Sequence, residues 1–146
     1  MQLVLTTFDI AIISLIAATV TILLLLFGMS RGAKRQKFKL HHVVVYSAVV
    51  IQLLLVIFWM FPRLLWLISF GILGDLIGNW YIIVHEIVGF LALGIGLVIS
   101  VIFLIKPGMP PALVKKTRRW MWVVLILWII AFLFGIVNFY AGYLAG

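Results

Sequence analysis

The sequence predicts an all-α membrane protein: a four-transmembrane-helix bundle with both termini extracytoplasmic. Three observations predict it. Hydrophobic residues make up 67% of the 146 residues and charged residues only 10%, and mean hydropathy is +1.38. Four apolar runs are each long enough to cross about 30 Å of hydrocarbon at about 1.5 Å of rise per residue. Ten of the eleven Lys and Arg residues sit in two clusters beside those runs. The runs are continuous, few and long, which excludes the short alternating strands of a β-barrel. Residues 1–146 read as a single transmembrane domain.

Span 1 covers about Phe8–Met29. No basic segment precedes it and its positive cluster follows it, so it reads as a retained anchor rather than a cleaved leader. Span 2 covers about His42–Phe61. Pro62 then ends or kinks the helix. Leu64–Ile68 continue apolar, and Gly71, Gly74, Asp75 and Gly78 break the run. Residues 62–79 therefore read as a short interfacial helix and a turn, with a longer span 2 reaching about Phe70 as the alternative. Span 3 covers Trp80–Ile105 and span 4 about Trp120–Leu144. Between them Pro107, Gly108, Pro110 and Pro111 interrupt any continuous helix.

Charge sets the direction. The first loop holds Arg31, Lys34, Arg35, Lys37 and Lys39; the third holds Lys106, Lys115, Lys116, Arg118 and Arg119; the middle loop has only Arg63. The positive-inside rule places loops one and three in the cytoplasm of a plasma membrane. The formal charge of +8 thus reflects topology and lipid head-group contact, not nucleic-acid binding. The chain has no cysteine, which excludes disulfides, thiolate metal sites, iron–sulfur clusters and a cysteine nucleophile.

Small residues mark the packing faces. Ala92, Gly96 and Ser100 repeat at four-residue spacing on span 3, Ala131 and Gly135 on span 4, and Ser14 and Ala18 on span 1. Such stripes let membrane helices approach closely. Gln52 reads as an interhelical hydrogen-bonding group, and Asn138, Tyr140 and Tyr143 mark the outer end of span 4.

The acidic groups gather on one side. Asp9, Asp75 and Glu86, with Arg63 and His85, all fall toward the outer face. His85 and Glu86 lie about 7 to 9 Å in from Trp80. Intramembrane ionisable groups face the bundle interior and pair, so Asp9, Arg63, Asp75 and Glu86 are the candidates for outer-face ion pairing. His85, Glu86 and Asp9 are the candidate metal set, with His and carboxylate chemistry suited to zinc or copper. Because adjacent helical residues diverge by about 100°, one of His85 and Glu86 is expected to face the bundle and the other its flank. A quinone-like ligand or a partner subunit is a further reading of the same pair.

Haem b would need two axial ligands on one iron. His42 and His85 are the candidates, yet they differ by roughly 20 Å or more in depth. His41 and His42 are adjacent and cannot grip opposite faces of one iron. Both are expected to be interfacial, solvated or touching head groups. A haem would therefore need a ligand from a partner chain. His85-Glu86 lacks the second histidine that a zinc-protease helix requires, because position 89 is Gly. No hydrolytic triad, phosphate loop or nucleotide fingerprint is present.

The runs KLHHVVVYSAVV, WYIIVHEIVGFLALGIG and RRWMWVVLILWIIAFLFGIVNFY resemble a family of small four-helix membrane proteins long classed as a domain of unknown function. Some of its bacterial members act in biogenesis of haem–copper cytochrome c oxidase. The matching positions are Lys39 and His42, then His85, then Arg119, Trp120, Trp128, Gly135 and Phe139, within about residues 34–144. The family's further histidines are missing here, where the chain reads WMFPRLL and VKKTRRW. A weaker similarity links Lys39, His42, His85 and Gly89 to the two-haem transmembrane cytochrome b family. The resemblance implies a non-catalytic accessory or assembly subunit of a larger membrane oxidoreductase, with other integral membrane subunits and lipid as partners, in a homo- or hetero-oligomer. The alternatives are a b-type electron-transfer subunit completed by a partner chain, and an outer-face metal or quinol binder. No cofactor is the leading expectation, with haem b or a divalent metal as the other readings.

Overall fold

A computed structural model of the chain describes residues 6–35, 38–69, 78–105 and 111–144. The described residues are helical almost throughout: α1 (Thr7–Arg35), α2 (Phe38–Leu55), a π-helical turn (Val56–Met60), α3 (Phe61–Ser69), α4 (Trp80–Ile105) and α5 (Pro111–Tyr143). Four segments are long and apolar enough to cross a membrane: Thr7–Ser30, Leu40–Trp66, Trp80–Ile105 and Thr117–Tyr143. Continuous helix is the form such segments must take, because hydrocarbon offers no partner for a free backbone N–H or C=O.

The second span runs past the proline. Pro62 lacks an N–H, and in an α-helix its ring would strike the carbonyl of residue 58. The turn before it widens instead. Across Val56–Met60 the backbone is π-helical, and the Phe61 N–H donates to the Val56 carbonyl. This wider turn absorbs the proline without ending the helix. Of the two readings of this segment, the short interfacial helix and turn after Pro62 is corrected and the longer span 2 holds: α2, the π turn and α3 run as one continuous rod to Ser69. Arg63 sits on that rod and not on a loop. Gly71, Gly74 and Asp75 lie outside the described residues, as do Lys106, Pro107 and Pro110. The last helix begins earlier than expected, at Pro111. Proline is well tolerated at a first helical position, where its missing N–H would have no helical partner.

The helices form two hairpins, α1 with α2 and α4 with α5, joined through α1–α5 and α2–α4 contacts. Their order round the bundle is α1, α2, α4, α5. Phe8 near the start of α1 packs on Phe139 and Tyr143 near the end of α5, with ring centroids 6.0 and 5.8 Å apart. Both described ends of the chain thus meet at one end of the bundle, here called the terminal end. The opposite end, which carries Arg118 and Arg119, is the basic end.

The core lies at mid-depth, built from Leu25, Val49, Val56, Leu93, Leu125 and Trp128 around two alanines, Ala48 and Ala92. Ala92, Gly96 and Ser100 are buried on α4. A Cβ on Gly96 would lie 3.5 Å from the Trp128 ring and 3.6 Å from Val124. Gly96 is the notch into which α5 sets its tryptophan. Large apolar side chains such as Ile16, Phe58, Val98 and Leu104 cover the outside.

Gly94, two residues away, faces open space: a Cβ added there would meet nothing within 4 Å. Gly96→Leu is expected to lower stability by about 1–3 kcal/mol through overpacking against Trp128. Gly94→Leu is expected to leave the unfolding midpoint unchanged. Thermal or SDS-induced unfolding in detergent measures both.

Candidate functional site

Two histidines tie the two hairpins, each by the same device. On α2, the His41 ring donates from Nδ1 to the Gly28 carbonyl of α1 at 2.7 Å. On α4, the His85 ring donates from Nδ1 to the Ala131 carbonyl of α5, also at 2.7 Å. Helix carbonyls are reachable only where the backbones come close, and small residues allow that. A Cβ on Gly28 would sit 3.3 Å from Val44 and Val45. A Cβ on Gly135, one turn beyond Ala131, would sit 3.0 Å from the His85 ring. Gly135 is the seat of the His85 imidazole. With Nδ1 committed to Ala131, Nε2 is the nitrogen left for other chemistry.

The two ties lie at opposite ends of the bundle. His41 is buried, so its expected solvation by head groups is corrected: a reachable carbonyl on α1 draws it inward. His42 stacks against Phe103 of α4 and Tyr46 of α2, with ring centroids 5.2 and 5.9 Å away. Phe103 and His85 are separated by about 27 Å of helix rise along α4. His42 and His85 line different cavities and do not address one iron within this chain.

A cavity of about 120 Å³ lies in the terminal half. All four spans line it. Its polar side chains are Ser14, whose hydroxyl is spent on the Ile10 carbonyl, and Gln52, Arg63, His85, Glu86, Asn138 and Tyr143, and aromatic walls come from Trp59, Phe132 and Phe139. Arg63 reaches it from the rod beyond the π turn. It donates to the Tyr143 hydroxyl of α5, and its guanidinium carbon lies 6.0 Å from the Trp59 ring centre. Gln52 points its amide along its own helix, with Nε2 4.0 Å from the Met60 sulfur. Glu86 Oε2 is buried and has no hydrogen-bond partner among the protein atoms. A buried carboxyl oxygen left without a partner is costly, so the cavity presents unfilled hydrogen-bonding capacity.

Several sequence candidates fall elsewhere. Asp9 does not join Glu86. Its carboxylate accepts from the Thr6 backbone N–H and the Thr6 hydroxyl, at 2.9 and 2.7 Å, while the Asp9 N–H donates back to Thr6 Oγ1. This is a reciprocal cap of the α1 start, and it satisfies the carboxylate locally. Asp9 is therefore removed from the metal set and from the pairing set. Among the described residues no three His, Cys, Asp or Glu side chains converge as a metal site would require. His85 and Glu86 both line the cavity, although one was expected to face the flank. His85 sits over Gly135 of α5, and Glu86 borders the same cavity beside it.

Sequence reasoning missed Tyr143 as the partner of Arg63, and Trp59 beside it. The signal was present in the four-residue spacing of Trp59 and Arg63, but a helix end assumed at Pro62 hid it. The second cavity, about 40 Å³ in the basic half, is apolar and contains the buried, unpartnered hydroxyl of Ser100.

Comparison with protein-family models, with curated proteins and with solved structures found no match.

Gly135→Ala is expected to unseat the His85 ring and destabilise the bundle by about 1–3 kcal/mol. Gly89→Ala, whose methyl would meet only Ala131 at 4.0 Å, is expected to be neutral. Chemical denaturation in detergent, with the His85 imidazole shifts followed by NMR, separates the two. Ser100→Ala is expected to leave stability equal or raised by up to about 1 kcal/mol, because it removes an unsatisfied buried hydroxyl.

Proposed function

We propose that the protein is a non-catalytic accessory or assembly component of a larger membrane oxidoreductase, acting inside the bilayer. One observation carries the reading. Nearly every described residue belongs to a span or its direct extension, and the polar groups from several helices converge inside the bundle rather than on an extramembrane surface. Whatever the protein meets, it meets within the membrane plane. Large apolar side chains are exposed along all four spans, a surface suited to lipid and to other membrane helices alike.

The oxidase side of the proposal rests on the motif resemblance of the His42, His85 and Arg119-Trp120 segments. Its orientation rests on charge: the basic end faces the cytoplasm of a plasma membrane, and the terminal end with its cavity faces outward. The b-type cytochrome alternative requires a histidine from another chain, since His42 and His85 belong to separate cavities.

Two experiments test this. In mild detergent the chain is expected to co-purify with larger integral membrane subunits; a stable, partner-free monomer under the same extraction would sink the accessory reading. The absence of cysteine makes single-cysteine labelling clean. Asp75→Cys is expected to react with an impermeant maleimide on intact cells, and Lys34→Cys only after permeabilisation. The reverse pattern would overturn the orientation.

A further inference from the structure

We infer that the terminal-half cavity is a binding site for a quinol-type ligand, a six-membered ring bearing hydroxyl groups, that enters from the lipid. The inference rests on the membrane-embedded reading above but not on the identity of any partner complex.

Size comes first. An apolar cavity of about 150 Å³ is known to hold a benzene ring. The volume here, about 120 Å³ and partly open, is on the scale of one ring and no more, so ring substituents and a tail have to project through the opening between helices. Shape follows: Trp59 and Phe132 offer flat apolar walls, against which a ring stacks favourably.

Hydrogen bonding then selects the ligand class. With Nδ1 donating to Ala131, a neutral His85 presents Nε2 as an acceptor. Glu86 Oε2 is buried and unpartnered in the same cavity. An imidazole acceptor beside a buried carboxyl that can accept, or donate when protonated, calls for a partner able to do both, as a hydroxyl is. Arg63 supplies the complementary element. It spends one N–H on Tyr143, and a guanidinium has five donors in all, which leaves others for a ligand oxygen. An anionic ligand would meet the Glu86 carboxyl. A purely apolar ligand would leave Glu86 Oε2 unsatisfied. A metal ion would find no convergent triad of His, Cys, Asp or Glu among the described residues. A lipid-soluble ring with hydroxyl groups meets the walls, the acceptors and the donor together.

The ligand is held by residues from different hairpins: Arg63 from the rod following α2, and His85 with Glu86 from α4. Binding would therefore clamp the two hairpins together at the terminal end.

The test uses the full chain in lipid nanodiscs, with decyl hydroquinone kept reduced under argon as the probe and tryptophan fluorescence as the readout. Saturable quenching with one site per chain is expected. The dimethyl ether of the same probe keeps the ring, the tail and the oxygens but has no hydroxyl donor; it should bind about tenfold more weakly or worse. Glu86→Gln should weaken hydroquinone binding by a similar factor while leaving the unfolding midpoint within a few degrees of the parent. Ser100→Ala, in the other cavity, should bind as the parent does. Non-saturable quenching, equal affinity for the ether, or unchanged affinity in a folded Glu86→Gln protein would overturn the proposal and leave a cavity filled by water only. Loss of partner co-purification with binding intact would strike the accessory reading alone.

Discussion

The structure depends on one constraint: a histidine N–H buried between membrane helices must find an acceptor, and for His41 and His85 that acceptor is a carbonyl of the neighbouring helix. Those carbonyls are accessible only where two backbones approach closely. His41 finds Gly28 and His85 finds Ala131, both at 2.7 Å. In each case glycine creates the approach, at Gly28 itself or at Gly135 one turn along. Each bond ties one hairpin, and the two ties sit at opposite ends of the bundle. Interhelical hydrogen bonds in membranes contribute only on the order of 1 kcal/mol. Their larger effect is to fix register, because a helix that slid by one residue would lose both the carbonyl and the glycine seat.

Register decides the chemistry. Seating His85 over Gly135 commits Nδ1 to the Ala131 carbonyl and leaves Nε2 as the ring nitrogen not used in that tie. Glu86, the next residue on α4, borders the same cavity. The π turn before Pro62 makes the second contribution. It carries the helix beyond the proline and delivers Arg63 to Tyr143. A proline that ended the helix would have left Arg63 on a loop. π turns occur often at functional positions because they shift side chains round the helix by a fraction of a turn. Here that shift supplies the cavity with its only arginine among the described residues. The polar half and the apolar half of the bundle are thereby separated by the core at Ala48, Ala92 and Trp128.

Much of this was legible in the residues. Span number followed from hydropathy and length, since solvent chemistry leaves helix as the only form for such runs. The close-packed face of α4 was visible as Ala92, Gly96 and Ser100. His85 and Glu86 were visible as polar groups in an apolar run. Their partners were not. Asp9 looked like a counter-ion because depth matched; its real partner, Thr6, lies three residues away in a local cap. His41 looked interfacial because lysines flank it; a carbonyl on the neighbouring helix outweighs that context. Pro62 looked like an end because the ring blocks an α-helix, and a single π turn removes the block.

By itself the sequence determined the fold class, the span positions, the crowding of basic residues at one end, and which residues are small enough to sit between helices. These are properties of composition and of rise per residue, and they need no knowledge of neighbours. Only the tertiary structure decided which helix lies beside which, how far the second span continues past Pro62, and which groups share the cavity. Side-chain partnership depends on rotation about each helix axis, where one residue changes direction by about 100°. That rotation is set by contacts between helices, such as Trp128 on Gly96 and His85 on Gly135, and no single segment contains both partners.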